Sequence, residues 1–413
     1  MVECWLPYGN TEIYITVNIR DLLGVAEPIH QEPTSTPREI MLKALSETRS
    51  NKKLQDIVVP DCSVTISVEG TTTPNIATQV LSVLVEQLVN LIVPKDKITI
   101  ILANGQREKS IQDLIQAIKE TDDLKGINIL EHVKSSESLI SIGKTNKGTP
   151  VTIEKAYHEA KVKIGIGEVH VDAYTGFTGA HTSIIPGIAA PTTIEANRKL
   201  FFKGDIKPGI IEFNSIKEDA FEVVKQAGLD MAINLVVNPQ GKLLTAYAGD
   251  FEETFGQAIY SLGSSYQIET SLGADIIIVS AGGSKFDYDL YSATWALQGA
   301  SKVAKKGAAI ILLAECLGGL GVDSYSNLAN IDQRNEFERR FQLGAEALQF
   351  LKATSEKNEI WLVSSLPRLF VEPLGINMAR TANEAYEKVC ESRRSHRTVI
   401  IPYGCSTIPN ISD

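Results

Sequence analysis

The stretch His170–Arg198 reads HVDAYTGFTGAHTSIIPGIAAPTTIEANR and combines glycines, histidines and an aspartate in a segment too irregular for ordinary core. Gly176 and Gly179 allow φ above zero or a close approach of the backbone to a ligand. In extended backbone, His170 and Asp172 project to the same face, because side chains alternate along a strand. A bent, glycine-hinged loop with titratable side chains is typical of a binding site.

On both sides of this loop, short apolar runs alternate with helical patterns. The predicted strands are Val64–Val68, Lys97–Leu102, Val162–Ile166, Met231–Val237, Asp275–Val279, Ala308–Leu313, Ile360–Val363 and Thr398–Ile401. The predicted helices are Pro37–Leu45, Ile76–Val89, Ile111–Ile118, Ala220–Gln226, Glu253–Leu262, Tyr291–Val303 and Asn335–Leu351. Strand–helix alternation with short connections indicates an α/β fold with mostly parallel sheets covered on both faces.

The length indicates two α/β domains, because a single hydrophobic core stops growing near ~250–300 residues and the chain has 413. A joint is expected near Tyr266–Ser271, after a small polar stretch and before the strong strand Asp275–Val279. The sequence therefore predicts an N-terminal domain of residues 1–267 and a C-terminal domain of residues 268–413.

Charge and composition indicate which classes of binding partner are expected. The formal net charge is −10, which argues against binding to nucleic acid phosphates. The five cysteines are scattered without a CxxC pair, as expected for reduced thiols in the cytoplasm. The start, MVECWLPYGN, lacks the basic and apolar regions of a signal peptide, and no apolar run approaches the ~18 residues of a membrane span. We therefore expect a cytoplasmic protein that binds a small molecule and no membrane. The oligomeric state does not follow from the sequence.

Loops that follow strands are the expected ligand-binding segments, because open α/β sheets bind ligands at the carboxyl ends of their strands. Three such loops are Ala103–Glu108, Ser280–Lys285 and Ala314–Gly321. The glycine pairs in this chain match neither a Walker A loop nor a dinucleotide fingerprint. Gly282 and Gly283 are expected to direct amides at an anionic cofactor, as an alternative to a plain strand-to-helix turn. Beside them, Lys285 and Tyr288 are assigned to substrate binding.

The side chains of His170, Asp172 and His181 leave three chemical interpretations open. Imidazole and carboxylate suit Zn, Ni or Mn, so His170 and His181 are candidate metal ligands with Asp172. That trio would then serve a metal-dependent hydrolase or lyase. The same residues are also compatible with a hydrogen-bonded site without metal. In a third interpretation Asp172 is a general base. Cys316 follows an apolar strand and is interpreted as a small buried side chain.

Several short motifs together resemble the nickel-pincer-dependent lactate racemase family, over nearly the whole chain. GFTGAHTSIIPGI at Gly176–Ile188 is similar to the family's GFSGGRKSILPGI. The other matching motifs are LPYG (Leu6–Gly9), TTTP (Thr71–Pro74, where the family has DxTRP), LANG (Leu102–Gly105, where it has LATGxHR), TIEANR (Thr193–Arg198, where it has TIxxNH), AGD (Ala248–Asp250), SAGG (Ser280–Gly283), AEC (Ala314–Cys316) and TIP (Thr407–Pro409). The resemblance implies two α/β domains, an active site in the cleft between them, and racemisation or epimerisation of 2-hydroxy acids.

The resemblance also implies a covalently held cofactor, but its attachment residues differ here. In the family, a lysine binds a nickel–pyridinium pincer nucleotide through a thioamide, and a histidine supplies another nickel ligand. The lysine position falls on Thr182, and the histidine position falls on Arg198. The family therefore leads us to expect a nickel-pincer nucleotide, whereas these two residues predict that it is absent and leave the cofactor unknown.

The positions of the family's other reactive side chains are also changed. Two histidines exchange the substrate's hydroxyl proton in the family; one falls on Asp172 and the other on Gln106 or Arg107. The arginine of DxTRP, which holds the substrate carboxylate, falls on Thr73. We assign Asp172, Gln106 and Arg107 to catalysis.

Two classes of function follow. One is a 2-hydroxy-acid racemase or epimerase with a remodelled site, in which Thr73 and Arg198 contact substrate and Gly176, Gly179 and Thr182 contact a cofactor. The other is a non-catalytic paralogue that binds a small carboxylic or hydroxy acid. In that protein Arg107 or Arg198 would pair with the carboxylate in a charge-assisted hydrogen bond.

Overall fold

The computed structural model describes residues 1–29, 31–48, 53–105, 111–132, 137–204, 206–271 and 273–412. Across these residues no helix has both the length and the apolarity needed to span a bilayer. The strands are β1 (Val2–Tyr8), β2 (Thr11–Val17), β3 (Leu22–Val25), β4 (Val64–Glu69), β5 (Ile98–Ala103), β6 (Asn128–Glu131), β7 (Leu139–Lys144), β8 (Pro150–Glu154), β9 (Val162–Val169), β10 (Val171–Asp172), β11 (Gly176–Phe177), β12 (Met231–Val237), β13 (Leu243–Gly249), β14 (Gln267–Ser271), β15 (Ala274–Ser280), β16 (Ala304–Leu313), β17 (Glu359–Val363), β18 (Asn377–Ala379), β19 (Thr398–Ile401) and β20 (Ile408–Ser412). The helices are α1 (Pro37–Ser46), α2 (Leu54–Ile57), α3 (Pro74–Asn90), α4 (Gln112–Glu120), α5 (Lys155–Glu159), α6 (Pro191–Lys199), α7 (Ser215–Ala227), α8 (Phe251–Leu262), α9 (Leu290–Ala293), α10 (Ala296–Val303), α11 (Ser324–Asn327), α12 (Arg334–Arg339), α13 (Ala345–Ser355), α14 (Arg368–Val371) and α15 (Ala382–Glu391).

The chain divides into two compact units. One unit consists of Met1–Ile29, Val171–Ala173 and Ser264–Asp413, and the other consists of His30–His170 and Tyr174–Gly263. We call them the C-terminal unit and the N-terminal unit. The expected joint after residue 267 lies close to the change of unit at Gly263, whereas the first 29 residues belong to the C-terminal unit.

The N-terminal unit is built on a six-stranded sheet with the order β13-β12-β9-β4-β5-β6. Its strands run parallel except β13, which is antiparallel to β12. Ile66, Ile100, Ile164 and Ile233 contribute to its buried core. From β4 the chain first extends the sheet through β5 and β6, and later extends it the other way through β9 and β12. The order therefore reverses between β4 and β9, which is where such sheets bind ligands.

The C-terminal unit has a parallel sheet with the order β18-β17-β16-β15-β19-β3. Its order reverses between β15 and β19. The antiparallel hairpin β1–β2 places Leu6 and Ile15 in the same core cluster as Ile276 and Ile311. The predicted α/β class with parallel-dominated sheets is confirmed.

Individual elements agree with the sequence to different degrees. Met231–Val237 and Thr398–Ile401 have the predicted bounds. The single predicted helix Asn335–Leu351 is wrong, because the chain forms α12 and α13 with a break at Gly344, whose φ is +87°. A positive φ ends a right-handed helix, and glycine adopts it at little cost. The predicted helix Tyr291–Val303 is likewise divided, into α9 and α10.

Side-chain caps fix the starts of two helices. Thr36 caps α1 in a capping box with Glu39, with proline at the first helical position. Asp250 accepts from the amides of Glu252 and Glu253 at the start of α8.

Candidate functional site

The glycine-hinged loop forms a short 3-10 turn, Ala180–Ser183, fixed to the central strands of the N-terminal unit. The amide of Ala180 donates to Oδ1 of Asn234 on β12 over 2.8 Å. The hydroxyl of Ser183 lies 2.8 Å from that of Ser67 on β4. On β9, a Cβ added at Gly167 would overlap the Gly179 carbonyl. The turn is therefore bonded to β4 and β12, and a glycine on β9 allows its close approach.

Thr182, at the position of the family's lysine, is buried inside this turn. Its hydroxyl donates to the carbonyl of Gly179 over 2.5 Å. Local packing already explains the two glycines assigned to a cofactor. Gly176 has φ +85°, and a Cβ added there would lie 2.5 Å from the carbonyl oxygen of Ile210. A Cβ added at Gly179 would overlap the Asn234 side chain. Their role in cofactor binding stays a prediction.

His170 and Thr178 form a local hydrogen-bonded group. The Thr178 hydroxyl lies 2.8 Å from Nδ1 of His170 and donates to the carbonyl of Glu168 over 2.7 Å. Because that hydroxyl has one proton and a carbonyl oxygen only accepts, Nδ1 of His170 is assigned as the protonated nitrogen. His170 is thus held as a buried, oriented imidazole.

His181 lies in an aromatic cluster. It is 2% exposed, and its ring centroid is 4.8 Å from that of Phe255 and 5.2 Å from that of Phe221, both in edge-on orientation. Within the described part of the chain, no three His, Cys, Asp or Glu side chains are grouped so as to hold a metal ion. The structure therefore gives no support to the expected trio of His170, Asp172 and His181, and metal binding by His170 and His181 stays a prediction.

Arg198 is stacked on Tyr174 in the last turn of α6. Its Cζ lies 3.7 Å from the ring centroid of Tyr174, and the residue is only 7% exposed. Within the described residues its Nε has no hydrogen-bond partner. The backbone carbonyl of Tyr174 accepts from Nδ2 of Asn214 over 2.8 Å, which holds the segment that carries the ring. A buried guanidinium thus lies on a fixed aromatic face.

At the switch point of this sheet, a buried acid that sequence reasoning missed contacts Thr73. Glu168 is fully buried at the end of β9, and its Oε1 accepts from the amide of Thr73 at the start of α3 over 2.8 Å. The contact joins the ends of β9 and β4. A lone glutamate in the otherwise apolar segment IGIGEV of β9 was the signal that could have identified it.

Sequence reasoning also missed a buried histidine–carboxylate pair. Nδ1 of His132 lies 2.8 Å from Oε2 of Glu154, with side-chain exposures of 0% and 8%. The amide of His132 donates to Leu102 at the end of β5, and that of Glu154 donates to Ile188. The pair therefore connects the backbone segments of two motifs, LANG and GFTGAHTSIIPGI.

The LANG motif itself meets the glycine-hinged loop, because the amide of Gly105 donates to the carbonyl of Gly187 over 2.9 Å. Gln106 and Arg107, which the sequence assigned to catalysis, lie outside the described residues. Asp172 lies in β10, belongs to the C-terminal unit and is half-buried. The catalytic roles of these three residues stay predictions.

In the C-terminal unit, the SAGG and LPYG motifs meet at the switch point. The amide of Ser284 donates to the carbonyl of Gly9 over 2.7 Å, and the amide of Gly9 donates to Oδ2 of the buried Asp287 over 2.7 Å. The amide of Gly282 donates to Oγ of Ser280 over 3.0 Å. Since the amides of Gly282 and Ser284 already have protein acceptors, they do not support the expected anion site at Gly282 and Gly283.

The AEC motif lies beside this loop and is acidic. Cys316 is buried with φ +56°. Burial raises the pKa of its thiol well above the usual value, and the charges of Asp287, Asp289 and Glu315 act in the same direction. This inert thiol fits the expected role of Cys316 as a small buried side chain.

The two assigned substrate contacts of this unit have local packing partners. The Tyr288 ring lies against Gly318, where an added Cβ would overlap it. Nζ of Lys285 lies 5.7 Å from the ring centroid of Phe286. Their contact with substrate stays a prediction.

Two protein-family models match successive parts of the chain. The lactate racemase N-terminal domain matches residues 8–207 and the lactate racemase C-terminal domain matches residues 269–409. A lactate racemase of Lactiplantibacillus plantarum is 25% identical over 430 residues, which cover 99% of this chain and 100% of that protein. A second lactate racemase, from Thermoanaerobacterium thermosaccharolyticum, is 25% identical over 334 residues, which cover 79% of this chain and 77% of that protein.

Solved structures show the same fold. The lactate racemase apoprotein from Thermoanaerobacterium thermosaccharolyticum superposes with a TM-score of 0.83 at 22% identity, covering 99% of this chain and all of that one. A protein from Thermotoga maritima superposes with a TM-score of 0.69 at 12% identity, covering 93% of this chain and all of that one.

Proposed function

The chain belongs to the lactate racemase family, and we propose that it is an isomerase-class member that acts on a small 2-hydroxy acid without a covalently attached nickel pincer. The proposal rests on the presence of Thr182 where the family has its attachment lysine. Thr182 occupies the attachment position inside a turn whose surrounding glycines, serine and proline are kept, and its hydroxyl is bonded to Gly179.

The residues present do not fit the family's cofactor attachment. Threonine has no amine and forms no thioamide at position 182. At position 198, a guanidinium stays protonated at neutral pH and offers no lone pair to nickel. The lysines that follow on α6 and just after it, Lys199 and Lys203, are exposed. We therefore derive no chemical step through the pincer.

We assign the proton-exchanging role to Asp172, with Gln106 and Arg107 after the LANG motif and with Thr73, Lys285 and Tyr288 as further ligand contacts. A carboxylate accepts a proton as well as an imidazole does when its pKa is tuned. The ligand proposed is a small carboxylic or hydroxy acid. The net charge of −10 disfavours nucleic acid, and the scattered free cysteines favour the cytoplasm.

A non-catalytic protein that binds the same class of acid is the second candidate. It is favoured by the buried Arg198, a carboxylate-binding type of residue, at a position where the family has a nickel ligand. The hydrolase or lyase interpretation has less support, because no three-ligand metal group is found among the described residues.

Chiral chromatography of D- and L-lactate and of larger 2-hydroxy acids, incubated with the protein with and without nickel, tests the proposal. We expect lactate to keep its configuration under both conditions and one larger acid to be interconverted independently of nickel. Nickel-dependent racemisation of lactate would show that the residue mapping is wrong. Binding of these acids without any interconversion would favour the non-catalytic candidate.

A further inference from the structure

We propose that Arg198, stacked on Tyr174, is a preformed subsite for the carboxylate of a small monocarboxylic 2-hydroxy acid. The inference deepens the proposed function by naming the group that recognises the ligand. It does not depend on whether the protein is catalytic.

The positive charge of Arg198 is buried, which is electrostatically unfavourable. A guanidinium is charged at every physiological pH, and burying a charge is unfavourable unless it is paired. Arg198 is 7% exposed. Within the described part of the chain its guanidinium lies over the face of Tyr174, and its Nε has no hydrogen-bond partner. An aromatic face compensates a cation only partly. A bound anion would supply the missing charge.

The buried acid of the adjacent helix is already committed elsewhere. Asp219 on α7 accepts from the hydroxyls of Thr145 and Thr149, over 2.5 and 2.8 Å. It also accepts from Nδ2 of Asn197, the residue before Arg198, over 2.9 Å. These three donors occupy both carboxylate oxygens. Asp219 is therefore satisfied by donors other than Arg198.

The aromatic support is held in place before any ligand binds. Asn214 caps α7 by accepting from the amide of Lys217 over 2.9 Å, and its Nδ2 donates to the carbonyl of Tyr174 over 2.8 Å. The ring covers one side of the guanidinium, whose Cζ lies 3.7 Å from the ring centroid, and a planar fork matches the two oxygens of a carboxylate. The geometry therefore favours a carboxylate over a spherical anion.

Calorimetry and thermal-shift titrations with DL-lactate test the subsite, with lactamide, sodium chloride and sodium sulfate as comparison ligands. The variants are Arg198→Gln, Arg198→Lys, Tyr174→Leu and Tyr174→Phe. Lys199→Gln is the matched control, since it removes the same charge from an exposed neighbour on the same helix. Circular dichroism shows whether each variant is folded.

We expect lactate to bind the wild type and Lys199→Gln equally, and lactamide and chloride not to bind. Arg198→Gln should weaken lactate binding at least ~30-fold, because a charge-assisted bidentate contact is lost. Arg198→Lys and Tyr174→Leu should weaken it about tenfold, while Tyr174→Phe, which keeps the ring face, should change it less than about threefold.

Unchanged lactate affinity in folded Arg198→Gln would overturn the inference. If Arg198→Gln does not fold, unchanged affinity in Arg198→Lys and Tyr174→Leu would do the same. Equal binding of lactamide, or stabilisation by sulfate or chloride in place of lactate, would also overturn it, as would no binding of lactate. None of these results bears on the missing pincer attachment, which depends on the mass and metal content of the protein.

Discussion

At position 182, the side chain serves the turn that carries it. The Thr182 hydroxyl bonds the Gly179 carbonyl, and Ser183 bonds Ser67 on the neighbouring strand. A lysine at 182 would leave this carbonyl without its side-chain donor. The difference from the family at this residue is therefore accommodated by local bonding that preserves the backbone of the turn.

The close approach of this turn to β9 depends on one glycine. In Gly167→Ala, the added Cβ would overlap the backbone at Gly179 and Ala180, which cannot move as a flexible side chain could. Overpacking of this kind costs about 1–3 kcal/mol. We expect the free energy of unfolding in urea to fall by at least that amount.

Gly256→Ala is the matched control, because Gly256 is exposed within α8 and an added Cβ there would meet no neighbouring side chain within 4 Å. Alanine in a helix interior is favoured over glycine by ~1 kcal/mol, so this variant should be slightly more stable. Equal stability of Gly167→Ala and wild type would contradict the packing described for the turn.

The thiol of Cys316 should resist alkylation in the folded protein. Its pKa is raised well above 9.0 by burial, so the reactive thiolate is scarce at pH 8. Iodoacetamide followed by peptide mass spectrometry should find Cys316 unmodified in native protein and modified in guanidinium. Rapid labelling of native protein at pH 8 would contradict the burial of this thiol.

At the scale of elements, the pair His132–Glu154 links the end of β6 to the end of β8. Breaking a buried hydrogen-bonded pair from one side leaves a buried polar group without its partner, which costs about 1–3 kcal/mol or more. Replacing both partners by apolar residues avoids that penalty. We expect His132→Leu and Glu154→Leu each to destabilise the protein, and the double variant to lose less than the sum.

Urea unfolding of the four proteins in this cycle measures the coupling. Strict additivity of the two losses would contradict the contact between His132 and Glu154. Glu154→Gln, which keeps an oxygen acceptor, should lose less stability than Glu154→Leu.

Elements with strong local patterns were predictable from the sequence, whereas breaks and long-range pairs were not. The mostly apolar run Met231–Val237 has the same bounds in the structure. The helical spacing of apolar residues over Asn335–Leu351 did not indicate the break at Gly344, because a positive φ leaves the hydrophobic pattern unchanged. The partnership of His132 with Glu154 is tertiary, and neither residue's neighbours in sequence indicate it.

At the scale of the whole molecule, two sheets each reverse their strand order. The motifs TTTP, LANG, SAGG and AEC lie at the carboxyl ends of parallel strands of these sheets. Strand–helix alternation was enough to predict the α/β class. The assignment of residues 1–29 to the C-terminal unit was not predictable, because β3 joins the sheet beside β19 at the other end of the chain. Motif resemblance suggested the candidate site residues, whereas their hydrogen-bond partners could be identified only from the fold.

The central claim is that this chain carries no covalently attached nickel pincer, and intact-mass spectrometry with elemental analysis tests it most directly. The protein is purified from cells that are supplied with nickel and that attach the pincer to a family member with the attachment lysine. That family member, purified in parallel, is the positive control and should show the adduct mass and nickel. For this chain we predict the unmodified mass of the sequence and no stoichiometric nickel. A nucleotide-sized mass increase together with one equivalent of nickel would contradict the account.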